Sequence, residues 1–389
     1  MLLKAENTFE EVGILKNVRV GLIGCGYIVE ECHLPGIFSQ GVRPDFAAIA
    51  DPDPERLEKL GSLLGVPKNR RYTDYRDLLR RTDDIDVVSI ATPHNHHATQ
   101  IREAAEAGVN IICEKPMAIS VAEARSAIEA VERRGVFFTT VHNLLYSPAM
   151  REALRQISDG FVGKPLMSRG QHFYRKPPVL PAGDWRTSVA AGGGCLIDTS
   201  YHEIYSVEAL MGSPIRQVQA MVRTLNYNIE ADDISLMMFE HENGGLSTVS
   251  AAWFAPSIGH EKGRWCEVHG SLGSVRVNHR CVDAFERVPR SSEAWETLSI
   301  AGQNQDVTAA TDDRTDRWPS FYEVMRGGPK YSEAQQDPTG HGAFLVAALE
   351  AVATGSAPPV PARQALHLMA VISAAQQASQ TRQSVVVEA

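Results

Sequence analysis

The chain has 389 residues, 43% hydrophobic and 22% charged, enough for two or three domains that each bury a core. A formal charge of -9 with no Lys/Arg block argues against a nucleic-acid partner. No window approaches about 18 uninterrupted apolar residues, which excludes a membrane-spanning helix. Met1 to Lys16 lacks the basic flank and apolar stretch of a secretion signal, so a cytoplasmic location is expected. The six cysteines are scattered, without the short spacings of zinc or redox sites, and read as reduced thiols.

In chain order, residues 1–17 form an N-terminal extension, and residues 18–142 alternate short apolar runs with amphipathic stretches. Strands are predicted at Val18 to Ile23, Phe46 to Ala50, Asp86 to Thr92, Asn110 to Cys113 and Val136 to Val141. Helices are predicted at Pro54 to Leu64, Asp74 to Arg80, Ala98 to Ala107 and Ser120 to Arg134. This alternation is that of a parallel sheet covered by helices, a Rossmann-type α/β domain. The run Val87-Val88-Ser89-Ile90-Ala91 suits a strand buried on both faces.

Residues 143–389 form the second expected domain. Arg216 to Leu225, Ile234 to Phe239, Leu246 to Trp253 and Trp265 to Val277 follow one another without helices, which predicts an open, mainly antiparallel sheet. Asn243-Gly244-Gly245 reads as a hairpin turn. Arg290 to Asp337 is a polar, weakly patterned excursion. Helices close the chain at Gly342 to Ala353 and Arg363 to Ser379, the latter, at 363–379, expected to pack back on the first domain.

The first strand leads into Gly24-Cys25-Gly26-Tyr27-Ile28, a glycine turn opening a helix. Glycines let the backbone approach a pyrophosphate, and the helix N-terminus favours an anion. Val29 stands where a third glycine is usual, a departure expected either to loosen helix–strand contact or to demand a slightly different packing. Asp51, ending the second strand, is placed to accept hydrogen bonds from an adenosine ribose and to repel a 2′-phosphate, favouring NAD over NADP. Asp51-Pro52-Asp53-Pro54 also reads as a helix start with Asp53 as its cap. Both readings can hold together.

With Cys113-Glu114-Lys115-Pro116, Ala91-Thr92-Pro93 and His97, the pattern becomes specific, and the sequence resembles the Gfo/Idh/MocA family of NAD(P)-dependent oxidoreductases. The match continues through Asn143, Gly163-Lys164-Pro165, Trp185-Arg186, Gly192-Gly193-Gly194-Cys195-Leu196-Ile197-Asp198, His202 and Gly270-Ser271-Leu272-Gly273. The resemblance implies a Rossmann domain followed by an α/β domain whose open sheet often mediates assembly, so a homodimer or homotetramer is expected. It also implies that Lys115, Asp198 and His202 are catalytic. Cofactor contacts are expected from Gly24, Gly26, Tyr27, Ile28, Asp51, Ala91, Thr92, Pro93, His97, Glu114, Lys115, Asn143, Trp185 and Arg186.

The chemistry agrees. Asp198 and His202, at i and i+4, would share one helix face. A histidine titrating near neutrality can take a hydroxyl proton as hydride leaves the same carbon, and Asp198 can bind substrate or fix the imidazole. Lys115 precedes a proline, which steers it to an extended conformation at a strand's carboxyl end, where ligands sit in such sheets. A helical Asp/His pair is also a common surface hydrogen bond, and Trp185-Arg186 reads either as a shield with a structural ion pair or as pocket lining. His94, His96 and His97 cluster in one turn with no cysteine or carboxylate to complete a ligand set, so no metal is expected.

Where relatives often carry Arg and Phe after the asparagine, this chain has Leu145-Tyr146, which disfavours an anionic substrate group at that point. Tyr205 replaces a frequent aspartate. Substrate contacts are expected from Lys115, Tyr146, His172, Arg175, Asp198 and His202, with Gln171 to Lys176 and the loop to Asp184 either facing the cleft or forming a strand edge and loop. The expectation is an NAD-dependent dehydrogenase acting on a secondary hydroxyl of a small polyhydroxylated sugar, glycoside or cyclitol. The alternatives are a redox-neutral lyase or glycosidase that keeps NAD bound, and a non-catalytic dinucleotide sensor. The main reading requires Lys115 and His202 to act on the same carbon.

Overall fold

The computed structural model describes Leu15, residues 17–177, Leu180, residues 183–255 and 263–278, the strand backbone at 282–285 and 297–299, Asp337, and residues 339–388. The N-terminal extension and the excursion at 290–337 therefore lie almost wholly outside the described residues. Among the described residues, those of 1–118, 122–146 and 310–365 form one compact unit, and those of 119–121, 147–309 and 366–389 form a second.

In the first unit β1 (Arg19–Ile23), β2 (Asp45–Ala50), β3 (Arg71–Tyr72), β4 (Val87–Ile90), β5 (Asn110–Cys113) and β6 (Phe138–Thr140) make a parallel sheet in the order β3-β2-β1-β4-β5-β6. The order reverses between β1 and β4, and the crevice above that point is where doubly wound sheets bind ligands. Val87, Val88, Ile90 and Ile111 are fully buried, as a sheet covered on both faces demands. Helices α1 (Leu34–Ser39), α2 (Pro54–Leu63), α3 (Tyr75–Leu79), α4 (His94–Glu106) and α5 (Val121–Arg134) connect the strands. Asp53 caps α2 as expected, its Oδ1 accepting the Glu55 N–H at 2.9 Å, with Pro54 opening the helix.

At Val29 the second of the two expected outcomes, a different packing, is found: the residue is fully buried in the core, and the segment before α1 winds as a π-helical turn, Val29–His33. The boundary expected at 142/143 is not the limit of the unit, because the helix at His341–Thr354 (α8 below) folds with it. Phe344, Leu345, Ala348 and Leu349 of that helix share one core with Leu22, Leu34, Ile37 and Phe38. A Cβ at Gly342 would lie 2.2 Å from the Gly36 carbonyl oxygen, so the backbones touch there and only glycine fits.

The second unit opens with α6 (Pro148–Ser158) and β7 (Pro165–Phe173), followed by α7 (Tyr201–Met211), β8 (Ile215–Arg223), β9 (Ile234–His241), β10 (Leu246–Ala252), β11 (Arg264–Gly270), β12 (Ser274–Asn278), β13 (Val282–Phe285) and β14 (Thr297–Ser299). After α8, α9 (Ala362–Thr381) leads to β15 (Val385–Val386). The strand order is β14-β13-β12-β11-β7-β10-β9-β8-β15, antiparallel except where β7 meets β10. The fold is thus a Rossmann sheet plus a mainly antiparallel one.

Alternation is clean in β9, where Ser235, Met237, Phe239 and His241 are buried and Leu236 and Met238 exposed. The segment expected as one strand from Trp265 to Val277 is two, turned at Gly270-Ser271-Leu272-Gly273, because a Cβ at Gly270 would meet the Val162 carbonyl at 2.1 Å. Gly170 on β7 lets α7 approach, with Val207 and Glu203 within 3.2 Å of where its Cβ would be. The last helix, expected to pack on the first domain, groups from Leu366 onward with the second unit, where Ser379 Oγ accepts the Val222 N–H at 2.9 Å.

Candidate active site

The glycine turn follows β1. Gly24 has φ +96°, and a Cβ there would sit 2.4 Å from the Ala91 carbonyl oxygen, so no side chain is tolerated. At Gly26 the nearest atom to an added Cβ is Arg56 Nη1, 3.9 Å away. The space over the turn is open, as a pyrophosphate approaching the backbone requires. Tyr27 is 73% exposed beside it, and Ile28 packs on the core below. Asp51 is buried at the end of β2, its Oδ2 accepting the Cys25 N–H at 2.8 Å and its Oδ1 the Asp53 N–H at 2.9 Å. The carboxylate therefore holds the glycine turn and the start of α2 together.

Ala91, Thr92 and Pro93 form the turn after β4, with the Thr92 hydroxyl donating to Gln100 Oε1 at 2.6 Å. His97, expected to touch the cofactor, lies between two turns. It is fully buried, with Nδ1 2.7 Å from Pro116 O and Nε2 2.8 Å from Thr92 O. Burial pushes its pKa down against those carbonyls, and the one N–H of the neutral ring donates to one of the two. His97 ties the turn after β4 to the turn after β5.

That second turn carries Glu114 and Lys115, both buried, and the Lys115–Pro116 peptide is cis. Glu114 Oε1 accepts from His33 Nε2 at 2.7 Å and Oε2 accepts the Lys115 N–H at 3.1 Å. Burial pushes this carboxyl's pKa up, but the bond to His33 and the charges of His33, His341 and Lys115 win and hold it at about 2. Glu114 thus links His33 to the backbone of Lys115. Asn143 Nδ2 donates to Thr339 O at 2.7 Å, and Tyr146 meets Phe344 edge-on at 5.1 Å.

In the second unit Asp198 lies in a π-helical turn, Leu196–Ser200, that opens α7, and His202 is the second residue of α7 itself. The expected i, i+4 pair therefore spans the junction of a π turn, which is wider than an α turn, with an α-helix. Asp198 Oδ2 lies 3.6 Å from Arg186 Nε and 3.9 Å from Lys176 Nζ. His202 Nδ1 is 3.0 Å from the Tyr205 hydroxyl. Arg186 also reaches Asp184 at 3.3 Å and stacks over Trp185 at 4.5 Å. The glycine run is obligatory: a Cβ at Gly193 would meet the Arg186 carbonyl at 2.2 Å. Of the remaining substrate candidates, His172 packs on Tyr174 and lies 3.5 Å from buried Glu203, which also binds Arg264 at 2.8 Å, while Arg175 is exposed.

Three residues that sequence reasoning did not single out complete this half. Lys176 Nζ stands 3.4 Å above the Trp253 ring, and burial, opposed by Asp198, lowers its pKa to about 8. Trp253, fully buried, donates Nε1–H to Thr199 Oγ1 at 2.8 Å. Asp232 accepts the Leu196 N–H at 2.7 Å, capping the π turn from a distant loop, and burial raises its pKa to about 7. Only the position of Lys176 in the stretch read as facing the cleft hinted at this.

An open glycine turn at the switch point of a six-stranded parallel sheet defines a dinucleotide-binding protein. Residues 18–142 match the model of the oxidoreductase family with the NAD-binding Rossmann fold, and residues 150–276 match that of the GFO/IDH/MocA C-terminal domain. The chain belongs to the Gfo/Idh/MocA family and is an NAD-binding oxidoreductase. It is 28% identical to D-apiose dehydrogenase of Paraburkholderia graminis over 68% of each chain. It is 29% identical to scyllo-inositol 2-dehydrogenase (NAD(+)) of Bacillus subtilis, over 67% of this chain and 73% of that enzyme. A levoglucosan dehydrogenase solved in complex with NADH superposes with a TM-score of 0.78 at 22% identity, covering 96% of this chain and 99% of that one, a likeness of fold. No helix among the described residues is long and apolar enough to cross a membrane.

Proposed function

We propose that the protein oxidises a secondary hydroxyl of a sugar, glycoside or cyclitol with NAD, or reduces the corresponding ketone. The observation that carries this reading is the presence of Lys115, Asp198 and His202, at the positions the family resemblance marks as catalytic, in a chain similar to D-apiose and scyllo-inositol dehydrogenases. Bound NAD supplies the hydride acceptor. Gly24, Gly26 and Asp51 hold its adenosine and pyrophosphate portion, with Tyr27, Thr92, Pro93 and Trp185 lining the cofactor. Lys115 holds the oxygen of the reacting carbon. His202 takes the hydroxyl proton at Nε2, which requires Nδ1 to carry a hydrogen and donate it to Tyr205 Oη. Asp198, fixed by Arg186 and Lys176, accepts a substrate hydroxyl, and the aromatic face of Tyr174 suits a ring's C–H surface.

We further infer a homodimer or homotetramer assembled through the second sheet, because Met221, Leu236, Met238 and Leu246 are exposed on one face of β8, β9 and β10.

The test is a panel of sugars and inositols offered with NAD or NADP, following absorbance of the reduced cofactor. Accumulating NADH supports the dehydrogenase; product formation without NADH would point to the redox-neutral cycle. Lys115→Ala and His202→Ala should each abolish most turnover while leaving NAD affinity largely intact. Near-normal rates in both variants would remove the assignment.

A further inference from the structure

Behind the Glu-Lys-Pro turn, His33, Glu114 and His341 meet, 3%, 7% and 7% exposed. His33 follows the glycine turn, Glu114 ends β5, and His341 opens α8. A carboxylate can only accept, so His33 Nε2 donates to Glu114 Oε1 across their 2.7 Å contact. Proton counting then assigns His341. The Thr339 hydroxyl lies 2.6 Å from Asp337 Oδ1 and 2.8 Å from His341 Nδ1. Its single proton goes to the carboxylate, so the hydrogen in the second contact belongs to Nδ1. Asn143 Nδ2 is 3.4 Å from that nitrogen, but its good bond is to Thr339 O at 2.7 Å. Burial lowers the pKa of His341, and the neutral ring with its hydrogen on Nδ1 presents Nε2 as an acceptor.

The ligating atoms of these three residues lie within 4.8 Å of one another. A tetrahedral metal with bonds near ~2.1 Å sets its ligands about 3.4 Å apart, and the His33–Glu114 pair is already closed by a hydrogen bond. The group is therefore a hydrogen-bonded network. It is braced where α1 and α8 touch at Gly36 and Gly342, and Asp337 Oδ2 accepts the Gly342 N–H at 2.6 Å.

We propose that His33, Glu114 and His341 are positioning residues for Lys115, a proposal that rests on the role given to Lys115 above. Glu114 is held at one oxygen by His33 and at the other by the Lys115 N–H, so it cannot rotate, and the backbone that aims the lysine is fixed with it. His341 closes the remaining side with a neutral ring, where an imidazolium would compete for the carboxylate.

The test uses the full chain and steady-state kinetics of Glu114→Ala, Glu114→Gln and His341→Leu beside Lys115→Ala. The Gln amide still accepts the Lys115 N–H and can donate to His33 in its other tautomer. Glu114→Ala and His341→Leu should lower kcat by about tenfold or more, with NAD Kd and substrate KM within about threefold of wild type, and Glu114→Gln should recover most of the loss. Should Glu114→Ala not fold, His341→Leu and Glu114→Gln carry the comparison, a full loss in Glu114→Gln counting against the geometry. Wild-type kcat in Glu114→Ala and His341→Leu alongside an inactive Lys115→Ala overturns the proposal and leaves the lysine's role standing. A fully active Lys115→Ala removes that role instead. Activity that falls on chelator dialysis and returns with zinc makes the cluster a metal site and overturns the network.

Discussion

Lys176 gives the sharpest prediction, because its position is good for the site and bad for the fold. Its side chain is 11% exposed, with Nζ on the Trp253 ring and 3.9 Å from Asp198. Burial brings the ammonium from 10.5 to about 8 in spite of Asp198, whose pull is itself offset by Arg186. The difference corresponds to about 3 kcal/mol of penalty for holding the charge in the folded state. Below about pH 8 both folded and unfolded chains are protonated and the whole penalty applies. Between about 8 and 10.5 the folded protein has released the proton and the unfolded chain has not, so this group's contribution to stability rises with pH. Above 10.5 the penalty is gone.

Lys176→Met keeps the length and the aromatic contact without the charge. It should be more stable than wild type by about 1–3 kcal/mol near pH 7, an advantage that shrinks toward pH 10. Its kcat/KM should fall by about tenfold as Asp198 loses a partner. Thermal melts of both proteins from pH 6 to 10 read the first effect, and initial rates the second. A variant less stable than wild type at pH 7, or a difference that does not change with pH, would refute the reasoning.

Asp232 offers the same logic with opposite sign: its carboxyl goes from 3.8 to about 7, so stability is lost as pH rises between those values. Asp232→Asn should raise Tm at pH 8 and match wild type near pH 4; an offset independent of pH counts against it. Gly24→Ala forces a Cβ onto the Ala91 carbonyl at positive φ, and should cost about 2 kcal/mol or more and most of the NAD affinity, read by melting and by cofactor titration. Asp51→Ala should weaken NAD binding and relax discrimination against NADP, and should lower Tm as well because the Cys25 and Asp53 N–H groups lose their acceptor; unchanged cofactor selectivity would remove the ribose role. Tyr205→Phe should reduce kcat by about tenfold with NAD Kd unchanged, and an unaltered pH–rate profile would show that His202 does not depend on that hydroxyl.

Local pattern carried most of the fold. The apolar run at Val87 to Ile90 and the alternation through Ile234 to His241 are visible because each is dictated by burial along a single strand. Only the end of β7 was legible, as a possible strand edge from Gln171, since Leu166 and Met167 are both exposed and Gly170 interrupts the pattern to admit α7. Of the candidate site residues, Gly24 and Asp51 are suggested by spacing, and Lys115, Asp198 and His202 by the family resemblance, but their partners could not be read from the sequence. Lys176 acquires its meaning from Trp253 and Asp198, and Glu114 from His33 and His341, all brought together by folding. His97 shows the limit from the other side: a histidine after a strand advertises chemistry, and only three-dimensional placement reveals that its ring lies between two backbone carbonyls.

The seating of α8 on α1 has a consequence for biosynthesis. Leu34, Ile37 and Phe38 are made early, yet Phe344, Leu345 and Leu349, which share their core, leave the ribosome only when most of the chain has been translated. Until then the nascent first unit presents an uncovered greasy flank, an invitation to chaperones or to aggregation. Messages truncated before codon 341 should therefore yield insoluble product even though every strand of the nucleotide-binding sheet has been encoded.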